Sequence, residues 1–126
     1  MVRKKILNPG RVRSIKGGFS FIPHRFVTDG FLESLSAAEL LLYLFLVAVS
    51  DRYGLSFYCD DSICALLHIT SEKYKTARKG LIQKDLIDFD GAIFQVLELP
   101  PAPSGQASYH PAMRQLCRNL FKGGVT

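Results

Sequence analysis

The sequence predicts an α+β domain: a core of three helices with a small antiparallel sheet, preceded by a basic arm and followed by an amphipathic helix. Three observations predict it. An apolar run, Leu40 to Val49, follows a helix-start signal. The segment Asp60 to Ile87, DDSICALLHITSEKYKTARKGLIQKDLI, carries two helical patterns separated by a short turn. Two apolar runs then flank Asp90-Gly91, a dipeptide preferred in tight hairpins.

Taken in order, residues 1–18 are an arm broken by Pro9-Gly10 and Gly17-Gly18, and the folded domain is expected over 19–99. Phe19, Phe21 and Ile22 form a short extended piece. Pro23 starts a turn of helix through Phe26 and Val27 that ends near Asp29-Gly30. Phe31, Leu32 and Leu35 lead into the first long helix. Ser36 caps it, and Glu39, at the third helical position, completes a capping box. The run LLLYLFLVAV is apolar on nearly every face, so this helix is either central in the domain or half-used by a partner subunit. It ends near Ser50-Asp51, and Gly54 marks the stop. Leu55 to Cys59 alternates enough for a short strand.

Asp60 or Asp61 is expected to cap the next helix, with Ile63, Leu66 and Leu67 facing inward. Ile69 is the apolar residue of the turn, and Thr70 caps the helix after it. Setting Tyr74 inward puts Ala77 and Leu81 on the same face. Glu72, Lys75, Thr76, Lys79 and Gln83 then point outward, with Lys73 at the border. Arg78 falls nearer the buried side and has to snorkel. Gly80 costs this helix roughly 1 kcal/mol against Ala, and either close packing or a bend accounts for it. Leu86 to Phe89 and Ala92 to Leu99 are the hairpin strands, joined by Asp90-Gly91 with positive φ expected at both positions.

Residues 100–110 are a Pro-rich linker, and 111–122 are an amphipathic helix. Pro111 suits its first position, Met113, Leu116, Cys117, Leu120 and Phe121 form its stripe, and Gly123 ends it. Arg114, Arg118 and Lys122 lie off the stripe.

At 126 residues and 48% hydrophobic, the chain is one domain with extensions and can bury a core. Its net charge of +5 is unevenly placed. The arm holds Arg3, Lys4, Lys5, Arg11, Arg13 and Lys16 with no acid, and the helix opened by Thr70 holds Lys73, Lys75, Arg78 and Lys79. Basic segments on a mixed surface suit a polyanion. The blander reading, a solvated helix face and a solubilising arm, stays open. The cysteines, 3 in number, suggest reduced, buried thiols in a cytoplasm rather than a disulfide framework. The basic start runs into Asn8-Pro9-Gly10, not an apolar core, so no secretory signal is expected. Leu40 to Val49 is shorter than the roughly 20 residues that span a bilayer. The expectation is a soluble cytoplasmic protein with no membrane partner.

Ser36, Tyr43 with Leu46, Asp51 with Gly54, Thr70, Ala77, Leu81 and Leu86-Ile87 carry a resemblance. From about Leu35 to Leu99 the chain resembles the winged helix-turn-helix domains of bacterial and phage proteins. These include transcription regulators and the N-terminal domains of plasmid or phage replication initiators. The resemblance implies that the helix opened by Thr70 is the recognition helix, that the hairpin is the wing, and that Leu55 to Cys59 is the third strand of its sheet. The chain departs from the family in two places. Ser71-Glu72 follows the cap where the family often has basic residues. The wing tip is acidic, with Asp88 and Asp90 and no Lys or Arg from Asp85 to Leu99. A wing that grips phosphates is basic, so the arm is expected to supply the second contact.

Other constellations carry less. Cys64 and His68 are spaced i, i+4 on one helix, with Cys59 before it, but structural zinc needs four ligands and tighter cysteine pairs, so no metal is expected. His24, His68 and His110 assemble no recognisable catalytic motif, and no nucleophile elbow or phosphate loop is present, so no enzyme and no cofactor are expected. The expected function is sequence-specific binding of double-stranded DNA by a homodimer, as a small transcription regulator or an accessory of replication or a mobile element. Ser71 opens the DNA-binding surface; Glu72, Lys75, Thr76 and Lys79 face base edges, while Lys73, Arg78 and the arm hold phosphates. The alternative is a protein-interaction module in a replication or transposition complex. Dimerisation is left open between the long helix and the C-terminal one.

Overall fold

The computed structural model describes residues 4–103. Arg3, the linker beyond Pro103, Cys117 and the helix expected at 111–122 lie outside the described residues. The chain is α+β. Helices α1 (Arg25–Thr28), α2 (Ala37–Val49), α3 (Asp60–Leu67) and α4 (Ser71–Gln83) accompany strands β1 (Leu55–Phe57), β2 (Ile87–Phe89) and β3 (Ile93–Val96). The strands form one antiparallel sheet in the order β1-β3-β2, with Ser56 opposite Phe94 and Phe94 opposite Phe89. No helix among the described residues is long and apolar enough to cross a membrane.

Helix α2 begins at the expected capping box. Ser36 Oγ accepts from Glu39 N at 3.2 Å, and Glu39 Oε1 accepts from Ser36 N at 2.8 Å. Leu42, Tyr43, Leu46 and Val47 bury one side against α4 and the sheet, and Phe26 of α1 stacks on Tyr43 with ring centroids 5.0 Å apart. The core is completed by Ile63 of α3, Tyr74, Ala77 and Leu81 of α4, and Leu86, Ile87 and Phe94 around the sheet. Phe89 stacks on Phe94 at 4.3 Å, across the strand pair.

Glu39 does more than cap. It is 8% exposed, and the same Oε1 accepts from Lys84 Nζ at 2.6 Å. Lys84 Nζ also donates to Ser34 O at 2.8 Å. The start of α2 is thereby tied to the end of α4. Gly80 lies beneath this carboxylate, and a Cβ there would collide with Glu39 Oε2. Close packing, not a bend, explains the glycine within α4.

The structure corrects several expectations. The N-cap of α3 is Cys59, which makes no side-chain cap; Asp60 lies in the first turn and is engaged elsewhere. Leu66 is 57% exposed. Ile63, Cys64 and Leu67 set the inward direction of α3, and at 100° per residue Leu66 falls about 110° from its centre. Cys59 is exposed rather than buried. The hairpin turns at Gly91-Ala92, one residue later than expected. Asp90 N donates to Ile93 O at 3.2 Å to close the loop, and only Gly91 of the turn has positive φ, +102°. Glycine at the first of two loop positions is the pattern of a type II′ rather than a type I′ turn.

Candidate nucleic-acid interface

Helix α4 is two-faced. Thr70 Oγ1 accepts from Lys73 N at 3.2 Å, so the helix starts where the sequence placed it. Tyr74, Ala77 and Leu81 are buried at the spacing of one helix side. Ser71, Glu72, Lys73, Lys75, Thr76, Lys79 and Gln83 are exposed. At 100° per residue Glu72, Lys75, Thr76, Lys79 and Gln83 fall within about 100° of one another, opposite the buried side. Lys73 and Ser71 flank that face. Among the described residues none of Lys73, Lys75 and Lys79 makes an ion pair. Three ammonium groups and two hydroxyls, those of Ser71 and Thr76, thus stand in solvent around a single carboxylate, Glu72.

Arg78 is placed differently. Its guanidinium turns back along the helix: Nη1 donates to Tyr74 OH at 3.3 Å and to Asp60 Oδ1 at 3.4 Å. It also lies 4.7 Å from the ring centroid of Phe89 and 5.2 Å from that of Tyr74. Tyr74 OH itself donates to Asp60 Oδ1 at 2.6 Å. One cation therefore joins α3, α4 and β2, and a phosphate has to compete with Asp60 for it. The spacing showed Arg78 leaning inward, but Asp60 and Phe89 as its partners come from other elements and left no local signal.

Burial pushes the Tyr74 phenol up to about 12, with the hydrogen bond to Asp60 acting in the same direction. A folded value above the ordinary one of 10 favours the neutral phenol in the native state. Its contribution to stability is complete below pH 10 and is lost as pH rises toward 12, on the order of 2 kcal/mol in all. Tyr43 moves the same way through burial. Tyr74→Phe isolates the first residue. Urea midpoints measured from pH 9 to pH 11.5 are expected to fall less steeply for the variant, and equal slopes would contradict the assignment.

The hairpin tip is acidic for a structural reason. Asp90 Oδ1 accepts from Ile93 N at 2.7 Å and Ala92 N at 2.9 Å, and these bonds hold its carboxyl below the usual carboxylate range. Asp88 is exposed on β2. The same side of the sheet also carries apolar residues: Leu55, Phe57 and Ile93 are 37%, 70% and 44% exposed, with exposed Gln95 between Leu55 and Asp88.

In the arm, Lys4, Lys5, Arg11, Arg13 and Lys16 are all exposed and without an ion pair among the described residues. A short 3-10 turn at Pro9–Arg11 is the arm's own regular structure. Ser20 Oγ donates to Ser50 O at 3.3 Å and fixes the arm's root at the end of α2. Among the described residues no group of three or more His, Cys, Asp or Glu is placed to hold a metal ion. No family model, curated protein or solved structure matches the chain.

Proposed function

We propose that the protein is a winged-helix DNA-binding protein, acting as a homodimer, that reads duplex DNA with the outward face of α4. One observation carries this reading: Lys75, Thr76 and Lys79 share an exposed face, free of internal ion pairs, on a helix whose other side is sealed by Tyr74, Ala77 and Leu81. The element order α2-β1-α3-α4-β2-β3, with β1 completing the hairpin's sheet, supports it. In this reading α3 braces α4 through the Asp60–Tyr74–Arg78 bonds, and α4 enters the major groove. Lys75, Thr76 and Lys79 meet base edges, and Glu72 accepts from a cytosine amino group. Lys73, Ser71 and the arm meet phosphates. Arg78 serves chiefly to hold the helix in place. A role in transcription or as an accessory of replication or a mobile element fits a small domain of this kind.

Lys75→Ala and Lys79→Ala test the reading. Each removes an exposed ammonium without touching the core. Each is expected to weaken binding by about 1–3 kcal/mol where it makes a bidentate base contact, and to relax discrimination at one base pair. Titration against random and genomic duplexes at two salt concentrations checks it. If both variants bind every duplex as the unmutated protein does, α4 is not the reader.

The outer sheet face favours a second reading, a protein-interaction module of a replication or transposition complex. Leu55, Phe57 and Ile93 offer apolar surface beside Asp88, where a phosphate-gripping wing needs cations. The same titration separates the two, because this module has no appreciable duplex affinity at low salt.

A further inference from the structure

Three exposed aromatic rings hang from one anchor. Phe19 and Phe21 are 68% and 79% exposed, and between them Ser20 Oγ donates to Ser50 O at 3.3 Å. Ser20 thus faces the domain while the rings on either side of it face solvent. Tyr53, a few residues beyond Ser50, is 65% exposed. Chain geometry through that bond keeps the Cα atom of Tyr53 within roughly 20 Å of those of Phe19 and Phe21.

Tyr53 stands on a braced turn. Asp51 Oδ1 accepts from Tyr53 N at 2.8 Å and from Leu55 N at 3.0 Å, and Gly54 N donates to Asp51 O at 2.9 Å. Gly54, with φ +82°, packs so close to β3 that a Cβ would collide with Val96 O. The turn is therefore fixed to the sheet, and it presents the ring instead of burying it. The Arg52 guanidinium lies 5.0 Å from the Tyr53 ring centroid and makes no ion pair among the described residues.

Charge and shape narrow the partner. The sequence has no Asp or Glu before Asp29, and Arg11, Arg13 and Lys16 lead into Phe19. The acid of the turn, Asp51, is engaged with backbone amides. A partner that complements this surface is anionic and offers flat faces to the rings. A lipid surface supplies the charge, but residues 12–22 form no helix or strand, and unpaired backbone groups are costly in lipid. A duplex also supplies the charge, but its bases are stacked on one another. Unpaired bases along a flexible phosphate chain meet both requirements, because every base has a π-face.

We propose that Phe19, Phe21 and Tyr53, with Arg52, form a stacking platform for single-stranded nucleic acid. The rings take bases, while Arg52, Lys16 and Arg13 take phosphates. The platform uses no residue of α4 and goes beyond the duplex reading: it gives the protein a hold on an opened strand. Either can fail alone.

The full chain is titrated with a labelled oligothymidylate of about 20 nucleotides and with an abasic strand of the same length and charge. The oligothymidylate is expected to bind about tenfold more tightly or better, since it alone offers bases. Equal affinity overturns the proposal, and this comparison needs no variant. Phe19→Ala/Phe21→Ala and Tyr53→Ala are each expected to weaken its binding roughly 5- to 100-fold at every salt concentration, because stacking releases no counterion. Both are expected to keep their duplex affinity. Tyr53→Phe is expected to bind the oligothymidylate as the unmutated chain does. Arg52→Ala is expected to lower the salt slope by about 0.7 units. Phe57, 70% exposed on the sheet face that carries Asp88, is the control. Phe57→Ala is expected to change nothing, and a loss as large as that of Tyr53→Ala would mean general apolar adhesion and overturn the proposal. So would unchanged oligothymidylate binding in both ring variants, or capture of the chain by phosphatidylserine vesicles with none by the oligothymidylate. Lys75→Ala is expected to leave oligothymidylate binding intact; its loss there would move the single strand to α4 and overturn the proposal.

Discussion

Gly80→Ala is expected to destabilise the protein, although alanine is the better helix former, and to stabilise it once Glu39 is gone. Alanine in a helix interior is favoured over glycine by about 1 kcal/mol. At Gly80 that gain is opposed, because the new Cβ meets Glu39 Oε2. A free surface carboxylate would swing aside. This one is held by Ser36 N and Lys84 Nζ, so moving it loosens both the capping box and the ion pair. The net loss should be about 1–3 kcal/mol. In a Glu39→Ala background the obstacle is absent and Gly80→Ala should gain about 1 kcal/mol. The change of sign is the result to look for. Lys84→Met adds a third arm: it leaves Glu39 buried beside Ser36 N alone. With the side chains of Lys84 and Glu39 at 25% and 11% exposure, the pair is mostly shielded, and breaking it should cost about 3 kcal/mol. Chemical unfolding of the four members of the Glu39/Gly80 cycle, with Lys84→Met alongside, measures all of this. Additive effects of Glu39→Ala and Gly80→Ala would show that the two residues do not interact.

These residues also mark where the sequence stops being legible. The capping box was readable because Ser36 and Glu39 are local and the motif has one geometry. The faces of α4 were readable because Tyr74, Ala77 and Leu81 span enough turns to fix a direction. The outward placement of Lys75, Thr76 and Lys79 follows from that direction, so the candidate interface was legible as a face. Helix α3 is only 8 residues long, and its short pattern did not settle whether Leu66 or Cys64 turns inward. The hairpin was legible in outline but not in register. Asp90-Gly91 serves equally as a loop pair or as a closing residue followed by a loop glycine, and the Phe89–Phe94 stack sets the second alternative in place. Gly80 and Arg78 needed partners from distant segments, Glu39 in one case and Asp60 with Phe89 in the other. Such pairings exist only once the helices are packed.

Deletion of residues 2–16 is expected to lower the salt dependence of duplex binding by about 3–4 units in the slope of log affinity against log salt. The segment carries Arg3, Lys4, Lys5, Arg11, Arg13 and Lys16 and no acid. Its described cations are exposed and without an ion pair among the described residues, so bound phosphates meet no internal competitor. If roughly four of them neutralise phosphates, about 0.9 units are lost for each. The removed term should then change by roughly a hundredfold in affinity between 50 mM and 200 mM salt. The domain should stay folded, because Ser20 and its bond to Ser50 O remain. Phosphate contacts position a protein but carry no sequence information, so binding to all duplexes should weaken together while their ratios hold. Lys75→Ala should act in the opposite manner, with a slope change of about one unit at most and altered ratios. An unchanged slope after the deletion would make the arm a solubilising tail. A changed slope with collapsed ratios would instead place arm residues at base edges. The two sets of cations thus predict separable signatures in one titration series, the arm through its salt slope and α4 through its preferences among duplexes.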